Sequence, residues 1–215
     1  MNAMALERRD FLGGAALLAL ALGVPLAALR LSDLPADEWP TTGQRRLLKT
    51  VSQMVIPASG TAGAGDVGVG DFVALALAHG LEGTRAPLAA PPPATKAPLP
   101  LRADGSPRYL AWLEAELDAR AGGFLAASAA ARQAALAALD AESFPPGPPL
   151  GPPAAFGPNP WCKVKALILT GYYTSEEGAA RELQYQLIPG RFDPDAPLHP
   201  GDRAWSSDWT AVDFG

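Results

Sequence analysis

The chain has 215 residues, a formal net charge of −5, and 22 glycines and 23 prolines. This length suffices for one domain, and the glycine and proline content predicts much irregular chain. Its basic residues cluster no further than the pairs Arg8-Arg9 and Arg45-Arg46, so nucleic acid is not an expected partner. One cysteine and two histidines are too few for a zinc site, a c-type haem attachment or an iron–sulfur cluster.

The N-terminal segment has the pattern of a twin-arginine export signal. Arg8 and Arg9 stand one residue before Phe11-Leu12, and an apolar stretch continues to Leu29. This route moves folded proteins across the bacterial inner membrane. The stretch is nearly long enough to span a bilayer and its cleavage site is weak, so residues 1–30 are either a cleaved signal or a retained anchor. A buried helix is disfavoured because the stretch has no polar face.

Helical spacing of apolar residues predicts the first two helices of the body. Thr42 is expected to cap a helix that runs through Val55. A Gly-rich loop over residues 59–70 follows. Asp71 is then expected to cap a second helix over residues 72–81.

The Gly-rich loop contains a match to the dinucleotide-binding pattern GxGxxG. The matching letters are Gly63-Ala64-Gly65-Asp66-Val67-Gly68. That pattern binds a pyrophosphate when it lies between a strand and a helix of a βαβ unit. The segment before the loop has helical period and no second strand is predicted after it. We therefore interpret the match as chance in a glycine-rich chain.

A linker and two helices are predicted for the middle of the chain. Residues 86–101 are rich in Pro and Ala, which favours an extended linker or surface loop. Ser106-Pro107 pairs a capping hydroxyl with a proline and predicts the start of a third helix, which Gly122-Gly123 end. A fourth, Ala-rich helix is expected over residues 128–143.

The second half of the chain begins with a segment that proline keeps irregular, residues 144–160. Pro160 is expected to open a fifth helix over residues 161–170. Thr174-Ser175-Glu176-Glu177 has the form of a capping box and predicts a sixth helix that reaches about Leu187.

These elements predict a mainly α fold: a small irregular helical bundle with long Pro-rich loops and an extended C-terminal tail. We expect a signal or anchor over residues 1–30, a helical partner-binding domain over 31–190 and the tail over 191–215. Loops longer than about 15 residues are uncommon in compact domains and favour a functional or partner-bound role.

The single cysteine and the tryptophans are the candidates for partner contact. Cys162 stands at a loop-to-helix junction, where it is either a buried free thiol or one half of an intermolecular disulfide. Trp161, Trp205 and Trp209 lie in or beside irregular chain. They either pack back on the helical body or serve as anchors for a partner.

Two separated blocks of the sequence form a recognisable combination. The first is Val55-Ile56-Pro57-Ala58 with the Gly-rich loop and Asp71-Phe72. The second is the run from Gly171 to Gly178, with the letters GYYTSEEG, continued by Tyr185 and Ile188-Pro189-Gly190. Together they resemble the gluconate 2-dehydrogenase subunit 3 family, and the resemblance extends loosely over residues 43–190.

The resemblance implies a small, non-catalytic subunit of a periplasmic sugar or sugar-acid dehydrogenase at the inner membrane. The expected partner is a large flavoprotein of the glucose-methanol-choline (GMC) family that holds FAD, and a c-type cytochrome commonly accepts the electrons. The small subunit would escort the folded flavoprotein through the twin-arginine translocase, with membrane contact only through its N-terminal segment. It would hold no cofactor, catalytic residue or metal ligand. Tyr172 and Tyr173 join Trp161, Cys162, Trp205 and Trp209 as expected partner contacts, with Cys162 as the candidate intersubunit disulfide.

Two alternatives stay open at the level of sequence. The chain could be a free-standing periplasmic enzyme that uses His79 or His199 as a base, although it contains no GxSxG nucleophile motif. It could also be a membrane-anchored assembly factor that leaves the complex after export.

Overall fold

The structure is a computed structural model that describes residues 38–88, 94–144, 159–185, 195, 197 and 199–206. Four expectations therefore lie outside the described residues. They concern the export signal with Arg8, Arg9, Phe11 and Leu12, the proline run at 91–93, the proline-rich residues 145–158, and Trp209.

The described part of the chain is mainly helical, which confirms the predicted fold class. Its α-helices are α1 (Thr42–Val55), α2 (Val69–His79), α3 (Tyr109–Ala121), α4 (Ala129–Ser143) and α5 (Pro160–Tyr173). A short 3-10 turn (Leu81–Gly83) and one π-helical turn (Glu177–Glu182) complete the helical structure. Two short strands, β1 (Gln184–Tyr185) and β2 (Trp205–Ser206), pair in parallel, with Gln184 opposite Trp205.

Helix α5 lies at the centre of the bundle and packs against each of the other four α-helices. It carries fully buried side chains along most of its length, because its apolar residues face neighbours on several sides. Large buried side chains from the other elements close the core around it. The largest fully buried side chains of the described residues are Trp112, Trp161, Tyr172 and Phe124.

Side-chain caps fix the starts of three helices close to where the sequence places them. The α1 cap is Thr41, one residue before the predicted Thr42, and it forms a capping box with Gln44 through two 3.1 Å hydrogen bonds. Ser128 caps α4 by accepting the Ala131 N–H. Asn159 caps α5, with Pro160 at the first helical position.

The predicted start of α2 is wrong. The helix begins at Val69, and its N-cap is Gly68, whose φ of 84° lies in the left-handed region that glycine adopts readily. Asp71 is not a cap but a first-turn residue, where its negative charge interacts favourably with the helix dipole. The helix ends at His79 rather than near Leu81, because Gly80 turns left-handed.

The predicted start of α3 is also wrong. The Ser106 hydroxyl and N–H both bond to the Asp104 carboxylate, which holds Ser106 in a local turn. Pro107 forms an isolated antiparallel bridge with Leu101. The helix therefore begins only at Tyr109.

The predicted sixth helix is replaced by a single π-helical turn and a strand. Ser175 caps this turn by accepting the Gly178 N–H at 3.1 Å. Thr174 does not act as the cap, since its hydroxyl bonds back to the Thr170 carbonyl. The chain becomes extended at Leu183 and forms β1, which pairs with β2 from the C-terminal stretch that was predicted to be irregular.

Candidate partner-binding surface

The two sequence blocks that carry the family resemblance are bonded to each other. The Tyr172 hydroxyl donates to the Ala62 carbonyl at 3.0 Å, and the Glu177 carboxylate accepts the Ala62 N–H at 2.9 Å. Thr61 donates its hydroxyl proton to Glu182. Residues far apart in the chain thus hold the Gly-rich loop in one position, and we call this set of bonds the loop latch.

Glycines of the second block allow close approach within the latch. A Cβ on Gly171 would lie 2.6 Å from the Phe72 ring of α2. A Cβ on Gly178 would lie 2.1 Å from the Tyr172 carbonyl oxygen. Both distances are shorter than a real Cβ contact permits. These positions therefore require glycine for packing.

Two glycines of the GxGxxG match have a packing reason as well. A Cβ on Gly63 would lie 2.4 Å from the Gln53 amide, and one on Gly65 would lie 2.5 Å from the Lys49 carbonyl oxygen. Ala64 between them is fully buried and donates its N–H to the Ile56 carbonyl at 3.0 Å. The third, Gly68, has open space around it and a left-handed φ of 84°. Close packing on α1 therefore accounts for Gly63 and Gly65, and backbone conformation accounts for Gly68.

Three of the expected partner contacts lie in the core instead. Trp161 and Cys162 are 0% exposed and Tyr172 is 1% exposed. The Trp161 indole N–H donates to Asp140 at 2.7 Å, and the Cys162 thiol donates to the Ser143 carbonyl at 3.6 Å. In this structure none of the three presents surface to a partner, so the proposed contacts at these positions are corrected. An intersubunit disulfide at Cys162 would require α5 to leave its neighbours.

Two of the expected contacts are exposed. Tyr173 is 40% exposed and Trp205 is 67% exposed, which is unusual for large aromatic side chains. Helical spacing did not predict the exposure of four further large apolar side chains among the described residues: Trp39, Leu101, Phe144 and Leu169. Leu169 and Tyr173 are four residues apart on α5 and therefore share one helix face. The doublet Tyr172-Tyr173 indicates that the two rings have different environments, because adjacent helical residues face different directions, but it does not indicate which ring is exposed.

At one end of the exposed face of α5, the Lys165 ammonium group lies over the Phe144 ring. Lys165, four residues before Leu169, places its ammonium 4.6 Å from the centre of the Phe144 ring and 2.7 Å from the Asp140 carboxylate. Phe144, Leu169 and Tyr173 are the members of what we call the α5 face. Beyond Phe144 the chain continues into the proline-rich residues outside the described structure.

Two buried or half-buried ion networks fix the loops around the bundle. Arg102 and Arg85 both reach the Glu38 carboxylate, at 2.5 and 2.9 Å, and hydrogen bonds from Arg102 hold the pKa of Glu38 below its usual 4.5. The fully buried Glu116 accepts the Ala97 N–H at 2.6 Å and thereby ties the end of the Pro-rich linker to α3. These groups have structural partners and lie apart from the α5 face.

The same Glu116 carboxylate pairs with an arginine one turn further along α3. Arg120 contacts Glu116 at 2.7 Å and Glu142 of α4 at 2.6 Å. The hydrogen bonds to Glu142 and then to Glu116 raise the pKa of the Arg120 guanidinium. This network joins α3 to α4.

Both histidines lie at exposed positions of the described chain. His79 is exposed in the last turn of α2. His199 is exposed in the C-terminal region, where its N–H bonds to Asp202 at 2.7 Å. Among the described residues, no three His, Cys, Asp or Glu side chains are grouped as metal ligands would be. Within those same residues no helix has the length and apolar character to cross a bilayer.

The fold and its exposed aromatic side chains define a small helical protein with surface suited to a partner. The chain matches the family described as gluconate 2-dehydrogenase subunit 3 over residues 42–190, and it belongs to that family. The predicted resemblance is thereby confirmed, and with it a place as the small subunit of an oxidoreductase complex. Searches of the curated proteins and of the solved structures found no match.

Proposed function

We propose that this protein is the non-catalytic small subunit of a periplasmic, FAD-dependent sugar or sugar-acid dehydrogenase. Oxidation takes place in a GMC-family flavoprotein subunit that holds the FAD, and a c-type cytochrome takes the electrons onward. The observation that carries the proposal is the family match over residues 42–190. The matched range includes both chain segments that the loop latch joins. The match supports membership in a dehydrogenase complex. The identity and the chemistry of the partner subunits are what we propose.

The second part of the proposal is that the chain escorts its flavoprotein through the twin-arginine translocase. Arg8 and Arg9 with Phe11-Leu12 supply the export signal. FAD must be bound in a folded protein, and this route accepts folded cargo. A small subunit with a signal can therefore bring out a partner that lacks one, and the complex then stays in the periplasm beside the inner membrane.

The α5 face and Trp205 are the proposed contact surface for the flavoprotein. Aromatic side chains are enriched at the energetic centres of interfaces because they bury a large area at small entropic cost. Tyr173 and Trp205 are 40% and 67% exposed in the isolated chain. Trp209 belongs to the same proposal.

Replacing both signal arginines tests the escort role. In the native host, Arg8→Lys with Arg9→Lys is expected to leave the flavoprotein and its dehydrogenase activity in the cytoplasm, as judged by fractionation and immunoblotting. The matched control is Arg181→Lys with Arg203→Lys, an equivalent exchange at two exposed arginines far from the signal in the chain, which should export normally. Normal amounts of periplasmic flavoprotein in the signal variant would refute the escort role.

A further inference from the structure

Four cations on neighbouring helices lack an acidic partner among the described residues. Arg45, Arg46 and Lys49 of α1 are exposed, and Arg132 of α4 is half-buried. None of them lies within 4.0 Å of a carboxylate of the residues that the structure describes. Elsewhere in the described chain most cations are engaged by a carboxylate or a carbonyl, as Arg102, Arg120, Lys163, Lys165, Arg181 and Arg203 show.

These cations line two adjoining hollows that share Lys49. The first, about 220 Å³, is bordered by Arg45, Arg46, Lys49 and the backbone of three loop and α2 glycines, Gly65, Gly68 and Gly70. The second, about 350 Å³, lies between α1 and α4 and is bordered by Lys49, Met54, Ala129 and Arg132. We call the two hollows together the basic face.

The basic face combines charge with an apolar floor. Met54 and Ala129 supply aliphatic surface, and the glycines allow another backbone to come close. Asp71 is the carboxylate that borders the first hollow, and nearby Asp66 is engaged by the Gln53 amide at 2.9 Å. In a protein whose net charge is −5, cations concentrated on one face favour an acidic partner at that face.

We propose that the basic face docks an acidic surface of the flavoprotein subunit. The proposal rests on the function proposed above and adds a second contact, on α1 and α4, to the α5 face. A protein partner is favoured over a phosphate polymer or a lipid headgroup layer because the floor between the cations is apolar. The overall negative charge would also repel polyanions at a distance. Opposed charges at an interface chiefly set the partner's orientation and association rate.

The test compares two charge reversals in the full chain, tagged and purified from its native host. The test variant is Arg45→Glu with Arg46→Glu. The matched control is Lys96→Glu with Lys163→Glu, which changes the net charge equally at residues that border neither hollow. Retained flavoprotein is measured per mole of tagged chain at about 0.15 M salt, where charges act over about 8 Å. Circular dichroism melting confirms that each variant is folded.

The expected result is a drop of about tenfold or more in retained flavoprotein for the test variant, with the control close to wild type. Wild-type retention should also fall as salt rises to about 1 M, where the screening length is about 3 Å. Equal retention by the test variant and wild type would overturn the docking proposal and leave the proposed function intact. Equal loss in both variants would overturn it too, because the effect would then belong to net charge alone.

Two further outcomes separate the alternatives. If wild type itself retains no flavoprotein, the proposed function fails and this inference fails with it. Vesicles containing phosphatidylglycerol supply the other comparison. If the test variant keeps its flavoprotein but no longer binds vesicles that wild type binds, the basic face recognises lipid and the docking proposal is overturned.

Discussion

Tyr172 and Tyr173 are neighbours in the chain with opposite environments. Tyr172 is buried and its hydroxyl holds the Ala62 carbonyl, whereas Tyr173 is exposed on the α5 face. The rings meet edge to face, with centroids 5.3 Å apart. Tyr172 therefore has a structural role in the core, whereas the adjacent Tyr173 is part of the surface.

Removing the buried hydroxyl should cost stability. Tyr172→Phe leaves the Ala62 carbonyl without its tyrosine donor, and we expect the free energy of unfolding to fall by about 1–2 kcal/mol. Tyr173→Phe is the matched control and should change it by less than about 0.5 kcal/mol, because its ring is half-exposed. Urea denaturation followed by circular dichroism measures both. Equal stability of the two variants would show that the Tyr172 bond of the loop latch does not contribute to the free energy of unfolding.

The environment of Cys162 predicts an unreactive thiol. Its side chain is fully buried against the end of α4, so a thiol reagent cannot reach it while the protein is folded. We expect little reaction with a chromogenic disulfide reagent in native buffer and one equivalent after denaturation. Rapid native labelling, or an intersubunit band on a non-reducing gel that Cys162→Ser abolishes, would contradict this and restore the disulfide hypothesis.

At the scale of elements, α1 and α2 are held together by a close crossing. A Cβ on Gly70 of α2 would lie 2.9 Å from the Lys49 backbone nitrogen and 3.1 Å from the Leu48 carbonyl carbon. Since those atoms belong to the α1 backbone, they cannot move aside as a side chain end could. The crossing therefore depends on glycine at this position.

Two Gly→Ala exchanges in helices should then have opposite effects. Gly70→Ala forces the helices apart, and we expect a loss of about 1–3 kcal/mol in unfolding free energy. Gly43→Ala in α1 meets only ordinary contacts at 3.6 Å and should gain up to about 1 kcal/mol from helix propensity. Thermal melts compare the two. A Gly70→Ala variant as stable as wild type would mean that the crossing is looser than described.

The sequence predicted elements well where a local cap decides their start. The predicted starts were Thr42, Ser128 and Pro160, and α1, α4 and α5 begin within a residue of them. The prediction failed where a competing side-chain contact decides. Glu177 bonds to Ala62 across the fold rather than closing a capping box, and Ser106 turns toward Asp104.

The same limit applies to the partner surface. Trp161 and Cys162 were predicted to contact a partner because they follow a Pro-rich stretch. In the structure they are buried and bond to α4 instead, Trp161 to Asp140 and Cys162 to Ser143. Which face of α5 is covered depends on how five helices pack, and no spacing along one helix contains that information. The exposure of Leu169 was missed for this reason.

At the scale of the whole molecule, the described residues form a helical body with two candidate contact surfaces. The loop latch and the Glu116 network fix the loops to the body, while the α5 face and the basic face remain uncovered among the described residues. The family match assigns this body to a dehydrogenase complex. Our central proposal is that a companion subunit binds the flavin and carries out the oxidation.

Purification of the tagged full-length chain from its native host, with subunit masses, flavin spectrum and dehydrogenase activity determined on the same fractions, tests that claim most directly. The account predicts a larger flavin-containing chain in fixed ratio to this one, with activity that follows the flavin and is absent from the small chain alone. Recovery of the small chain by itself, with a ligand of its own and turnover of a sugar or sugar acid, would contradict the account.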